Sequence, residues 1–522
     1  MSTGSMDQST AGKNAGPRWW PVLVILGLTV LATIYNMMRD VADPSQKSIF
    51  GYVLLVVVPA LLLAWLLFFS RLTLGTKLKT IAAALGLVVL FFGLFEIEGV
   101  DGDVVPIIAF RWGGAPDFGG QGQASKTSDV AGVTNPGPND FPQFYGARRD
   151  AMIPGVRLAR DWEANPPREV WRHDVGAGWS AFAIADDAAV TQELRGEDEV
   201  VVRYELTTGK QVWAQSDPEV YLSTIGGDGP RATPTIADDH VYAMGATGVL
   251  NRLDLATGER VWSRNVLEDH DAKLQEWGMS NSPLIAGDLV VVALGEGGKH
   301  LAAYDRATGE PAWHAGDEPG SYMSPLLTTL AGREQIINLN ARSIVAHDPA
   351  TGEILWREPW DIPGQRCSTP LNIDGQRLLA SVGYGVGSRM LDVTANGDGF
   401  QVKELWETRR LKSKYAPIVW HRGTIFGLDE GILTAINPND GERLWKKGRY
   451  GHGQLLLIGD LLLILTEKGD LVLVEANPDE HRELARLKAL DGKTWNAPAL
   501  AGRYLLVRNH REAVCYELAL ES

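Results

Sequence analysis

The chain has 522 residues and carries 49 Lys and Arg against 64 Asp and Glu, a formal net charge of −15. That balance excludes a general nucleic-acid binder, because neutralising phosphates takes a basic face, and the length exceeds one ordinary compact domain unless the fold is a repeat. Two cysteines, Cys367 and Cys515, are too few and too far apart for a CxxC metal or redox site or a disulfide framework, while 17 tryptophans point to repeated use of the indole ring.

A short tail, 1–18, precedes a region, 19–97, that predicts three transmembrane helices at about 19–38, 50–70 and 80–97. The first run, Trp19 to Met38, has no charge and is long enough to cross roughly 30 Å of hydrocarbon. Its apolar stretch is longer than a signal-peptide core and two further spans follow, so it reads as a retained span. Lys13 and Arg18 precede the first span, and Arg71, Lys77 and Lys79 lie between the second and third. The opposite side has Arg39 and Lys47, then the acidic exit Glu96, Glu98, Asp101 and Asp103. The excess of short-loop cations predicts a cytoplasmic N-terminus. The large domain is then expected outside, in the periplasm of a two-membrane cell, on a multi-pass anchor in the inner (cytoplasmic) membrane. The lipid bilayer is thus the first expected partner.

Residues 98–140 form a Gly/Pro-rich linker, and from Gly113 onward the text GGAPDFGGQGQASKTSDVAGVTNPGPND holds too little apolar surface to fold. A flexible tether is expected there. A lead-in segment, 141–165, follows.

Over 166–522 a self-similar unit recurs: YELTTGKQVW ending at Trp213, LDLATGERVW at Trp262, YDRATGEPAW at Trp313, HDPATGEILW at Trp356 and INPNDGERLW at Trp445. Degenerate copies end at Trp406 and at Leu484, and VWRHDV around Trp171 is the end of a copy without a beginning. The spacing of about 40 to 50 residues is that of one four-stranded propeller blade. Alternating segments such as TPTIADDHVYAMG supply the strands. Six inner strands open at a recurring Pro (Pro234, Pro283, Pro325, Pro370, Pro417, Pro498), where no ladder hydrogen bond is lost. The final strand, Val514 to Leu520, is the missing beginning of the Trp171 copy, so both ends of the domain share one blade and no sheet edge is left open. The expected fold class is all-β: an eight-bladed β-propeller of four-stranded antiparallel blades, preceded by three transmembrane α-helices. The Thr-Gly pair supplies a turn needing positive φ. Trp213, Trp262, Trp313, Trp356, Trp406 and Trp445 are then structural, each burying roughly 150–250 Å² between blades.

The pattern A/x-D-x-x-TG-E/K-x-x-W resembles the tryptophan-docking repeat of PQQ-binding-like β-propeller proteins, the superfamily of quinoprotein alcohol and glucose dehydrogenases and of the BamB-type subunit of outer-membrane protein assembly. The similarity covers about residues 165 to 520, and FPQFYGARRDAMIPG (Phe141 to Gly155) is similar to the lead-in of such repeat proteins. It implies either a binding or scaffold module with protein partners in the envelope, or a PQQ- and calcium-dependent dehydrogenase of alcohols or sugars. Family membership does not supply chemistry. The vicinal disulfide of the alcohol enzymes has no counterpart here, the calcium-holding Glu, Asn and Asp fall on no local motif, and the long insertions that shape those pockets are missing. No catalytic residue, metal site or resident cofactor is therefore assigned, and PQQ with calcium belongs to the alternative reading alone.

The place to look for a site is the central funnel, where loops from all blades converge. The position three before each inner-strand Pro, or its equivalent, gives Trp179, Arg231, Ser280, Tyr322, Cys367, Lys414, His452 and Trp495. Such a basic and aromatic ring in an acidic chain predicts a site for an anionic or planar ligand, with Arg231 and Lys414 on carboxylates and Trp179 and Trp495 stacking. The plainer reading is polar solvation of a water-filled channel. His452, in RYGHGQ, also reads as a hydrogen-bonded loop residue, and RGEDE (Arg195 to Glu199) as a solvated hairpin tip. No HxxxH, HExxH, GxSxG or GxxxxGK pattern occurs, which leaves hydrolase and nucleotide chemistry without support.

Overall fold

The computed structural model describes residues 16–39, 41, 43–112, 137 and 140–521. The tail and the tether expected from Gly113 lie almost wholly outside the described residues. Two compact units are present, Met1–Glu98 with Asp103–Gly114 and Gly99–Gly102 with Ala115–Ser522.

The first unit contains α1 (Trp20–Met38), α2 (Ser45–Ala64, continuing as a π-helical turn over Trp65–Phe69) and α3 (Leu74–Leu94). All three are long and apolar enough to cross a membrane. Pro21 sits in the first turn of α1, where its missing N–H has no helical acceptor to lose. Trp65 packs its ring 5.3 Å from Trp19 and donates its indole N–H to the Arg18 carbonyl at 2.9 Å. Thr73 caps α3 by accepting from the Thr76 N–H. The third helix differs from its expected span, about 80–97: it begins at Leu74, taking in Lys77 and Lys79, and stops at Leu94. The text that follows, FEIEGV, alternates apolar and acidic residues with period two, which favours a strand over a helix. Phe95–Val100 indeed pairs with Pro106–Phe110, so the linker expected over 98–140 opens as a hairpin.

The second unit is a propeller of eight antiparallel blades. In chain order the blades span 183–217, 235–265, 284–315, 326–359, 371–408, 419–449, 454–488 and 499–517. The eighth blade is completed by Arg168–Asp174, which pairs with Glu512–Glu517. The ring closes through this shared blade as the two half-repeats require. Arg508, fully buried, bonds from it to Thr191 Oγ1 (2.7 Å) and to the carbonyls of Gln192 and Gly176 (2.9 Å each) beside the first blade.

The repeated Trp and Gly meet between blades. Trp213 donates to the Leu255 carbonyl at 2.9 Å, Trp262 to Arg306 at 3.1 Å, Trp406 to Pro438 at 2.9 Å and Trp445 to Asn477 at 3.0 Å. Trp213, Trp262, Trp313 and Trp406 lie on the glycine of the following copy: a Cβ on Gly258 would fall 2.6 Å from Trp213 and one on Gly352 2.5 Å from Trp313. Gly258 also has φ +74°, so two independent constraints select glycine where the turn alone was expected to. Trp356 differs, donating to Gln335 Oε1 within its own blade at 2.7 Å; the copy after it, LDVTANGDGFQVKELW, has no Thr-Gly.

The lead-in crosses the channel beneath the inner-strand prolines. The Phe141 N–H donates to Ile184 in the first blade, the Pro142 carbonyl accepts from Ile236 in the second, and Met152–Ile153 pairs in parallel with the inner strand of the seventh. Arg149 is buried, and its guanidinium bonds to Gln143 Oε1 (2.8 Å) and to the carbonyls of Ser282 (3.2 Å), Pro325 (2.9 Å) and Pro283. The Tyr145 hydroxyl donates to Gln454 Oε1 at 2.9 Å. One level of the channel is thereby filled, and the loops before the prolines form the remaining mouth.

Candidate functional site

The residues at that mouth come from the turn before each inner strand, so blade closure alone brings them together. Trp179 and Trp495, far apart in sequence, have ring centroids 5.1 Å apart and tilted by 42°. Tyr415 lies 5.4 Å from Trp495 and edge-on to His452 at 5.9 Å. The Lys493 ammonium sits over both indoles, 4.2 Å from Trp495 and 4.8 Å from Trp179. Lys414 stands 4.4 Å from Tyr384 and 5.6 Å from Tyr415. Ring faces carry negative potential, which attracts each ammonium.

Four members of the sequence ring play other parts. The Arg231 guanidinium bonds to the carbonyls of Gly229 (2.7 Å), Gly227 (2.7 Å) and Gly226 (3.1 Å) and lies 4.5 Å over Tyr221, fixing its own loop. It therefore shapes the rim, and Trp179 uses the same loop by donating to Gly226 at 2.8 Å. Ser280 and Tyr322 bond to each other, Ser280 Oγ donating to the Tyr322 carbonyl at 2.9 Å. Cys367 is a free cysteine whose burial pushes the thiol up to about 12, so it stays protonated at neutral pH.

The central acidic group escaped the sequence reading. Glu467 comes from the hairpin turn after Leu461–Leu465, a position that counting back from each proline does not sample. Its Oε1 accepts from Trp495 Nε1 at 2.8 Å and from the Gly102 N–H at 2.7 Å, and its Oε2 from the His452 N–H at 3.0 Å. Lys493 was missed although it lies two residues before Trp495; burial among the indoles pulls its ammonium down to about 8, with Glu467 and Asp101 opposing. The tip expected at RGEDE is solvated only at Gly196 and Glu197. Glu199 is buried, accepts from the Ala246 N–H at 2.8 Å and is pushed up to about 7 by desolvation.

Among the described residues no three His, Cys, Asp or Glu side chains stand close enough to hold a metal ion, whereas calcium takes six to eight oxygen ligands.

The fold is shared with known proteins. BamB from Moraxella catarrhalis superposes with a TM-score of 0.50 at 18% identity, over 67% of this chain and 97% of that one. The quinohemoprotein alcohol dehydrogenase from Comamonas testosteroni gives 0.55 at 15% identity, over 74% and 81%. A europium-containing methanol dehydrogenase gives 0.57 at 12%, over 73% and 98%. Identities this low carry the fold and no chemistry. No curated protein sequence matches the chain. The family model described as outer membrane protein assembly factor BamB matches residues 157–277 and 271–447, more than half of the sequence, and the chain belongs to that β-propeller repeat family.

Proposed function

We propose that this chain is a membrane-anchored, extracytoplasmic binding and scaffold module, serving envelope protein assembly and working without redox turnover, with the mouth of the propeller as its ligand site. The observation that carries this reading is the convergence of Lys414, Lys493, Trp179, Tyr415 and Trp495 around Glu467, a set built for binding and lacking a metal-ligand group. The three apolar helices and the acidic exit from the third support the anchor and its orientation. Beside the mouth, one loop leaves Val220, Leu222 and Ile225 exposed, an apolar rim suited to a protein partner.

The test is calorimetry of the full chain in detergent with PQQ and calcium, together with a dye-linked alcohol and sugar oxidation assay. Absence of turnover from folded protein is expected. Calcium-dependent PQQ binding with turnover would establish the dehydrogenase in its place.

A further inference from the structure

The mouth holds four residues of this same chain. Gly99–Gly102 belongs to the propeller unit, and its main chain meets the site at three points. The Lys493 ammonium donates to the Val100 carbonyl at 3.1 Å, the Lys414 ammonium donates to the Gly102 carbonyl at 2.6 Å, and the Gly102 N–H donates to Glu467 Oε1 at 2.7 Å. Asp101, between them, acts electrostatically on Lys493. Gly102 passes so close to His452 that a Cβ would fall 2.2 Å from the imidazole Cδ2. Each of these three hydrogen bonds is made to peptide main chain, and the sequence-selective features are an acid followed by a residue with no side chain.

Building on the reading of the mouth as a ligand site, we infer that it is a peptide-binding site, in which Gly99–Gly102 is an internal occupant and the ligand in trans is an extended acidic segment of a partner protein carrying Asp-Gly. Two ammoniums on carbonyls and one carboxylate on an N–H form a general clamp for an extended chain, as in other main-chain recognition. Three charge-assisted hydrogen bonds hold a tethered segment without locking it. Belonging to the same chain raises the effective concentration of the occupant at the mouth, and a free peptide must compete with that. The internal segment is thus a built-in threshold, admitting a partner only when its segment binds well or is itself held nearby.

The test measures fluorescence anisotropy of a labelled peptide of residues 98–103, Glu-Gly-Val-Asp-Gly-Asp, titrated with the full chain in detergent. Gly102→Ala forces the internal segment away from His452 and leaves the blades intact. The peptide is expected to bind this variant at least tenfold more tightly than the parent chain. Adding Lys414→Ala or Glu467→Ala should lose at least tenfold of that gain. Should Gly102→Ala not fold, Asp101→Lys evicts the segment by charge and serves in its place. Equal affinity for parent and variant, or binding indifferent to Lys414 and Glu467, overturns the inference. Citrate, a small carboxylate with no peptide main chain, separates the two proposals. Its binding to the opened variant without peptide binding sinks the peptide site and leaves the ligand site standing, and binding of neither sinks both.

Discussion

Two segments of the chain enter the propeller channel, and they are held by opposite means. The lead-in is anchored by a buried guanidinium on main-chain carbonyls of two blades, by a parallel strand pair on a third, and by buried Phe141 and Tyr145. Tyr145, Arg149 and Ala151 accept positive φ there, at 61°, 56° and 57°, a conformation tolerated only where surroundings over-determine it. Gly99–Gly102 is held instead through its main chain by three long side chains, Glu467, Lys414 and Lys493. Both fill space in one channel, but the first is part of the core and the second is a replaceable guest. What separates them is whether the partner groups are main chain, fixed by the sheets, or flexible side chains.

The largest way to break this comparison is Arg149→Ala. It leaves the carbonyls of Ser282, Pro283 and Pro325 without their donor inside the channel, and should lower propeller stability by about 3 kcal/mol or more in urea unfolding. A loss no larger than that caused by Asp101→Asn would mean the two segments are held alike. Next comes Gly258→Ala, which meets both the Trp213 ring and a positive φ, and should lower stability by about 1–3 kcal/mol. Gly196→Ala, with φ +65° and open space around it, serves as the control for backbone strain alone.

A smaller effect of opposite sign is expected at Glu199. Its folded carboxyl titrates near 7, above the ordinary 4.5. The stability present at pH 4.5 is therefore lost as pH rises through about 7. Glu199→Gln removes that loss and should raise stability by about 1–2 kcal/mol at pH 8, with the gain shrinking toward zero at pH 4.5 in thermal unfolding. The smallest effect sharpens the guest end. Lys493 carries its charge below about 8 and loses it above, although an unfolded lysine would keep it to 10.5. Affinity of the acidic peptide for the Gly102→Ala chain should fall several-fold between pH 7 and 9, and Lys493→Arg should flatten that fall, since guanidinium stays charged.

Much of the architecture was legible in the residues. Thr-Gly and Trp recur at blade spacing, and the half-copies at Trp171 and Val514 announce the shared blade, because turn chemistry and strand alternation are local properties. The same local rule explains the misplaced end of the third helix: the apolar run was followed past Leu94, where period-two FEIEGV had already changed the element. At the mouth, counting back from the prolines brought Trp179, Lys414, His452 and Trp495 to one place, since equivalent positions in blades meet around one axis. It missed Glu467, which reaches the mouth from a different turn, and gave Arg231 a ligand role that its own loop carbonyls occupy.

The sequence by itself determined a propeller of eight blades behind three apolar helices, because periodicity and apolar length are written residue by residue. Only the tertiary structure decided that Glu199 is buried, that Glu467 and Lys493 join the ring, and that Gly99–Gly102 occupies it. Those facts depend on which distant loops meet when the blades close into a circle, and no stretch of chain carries that information alone.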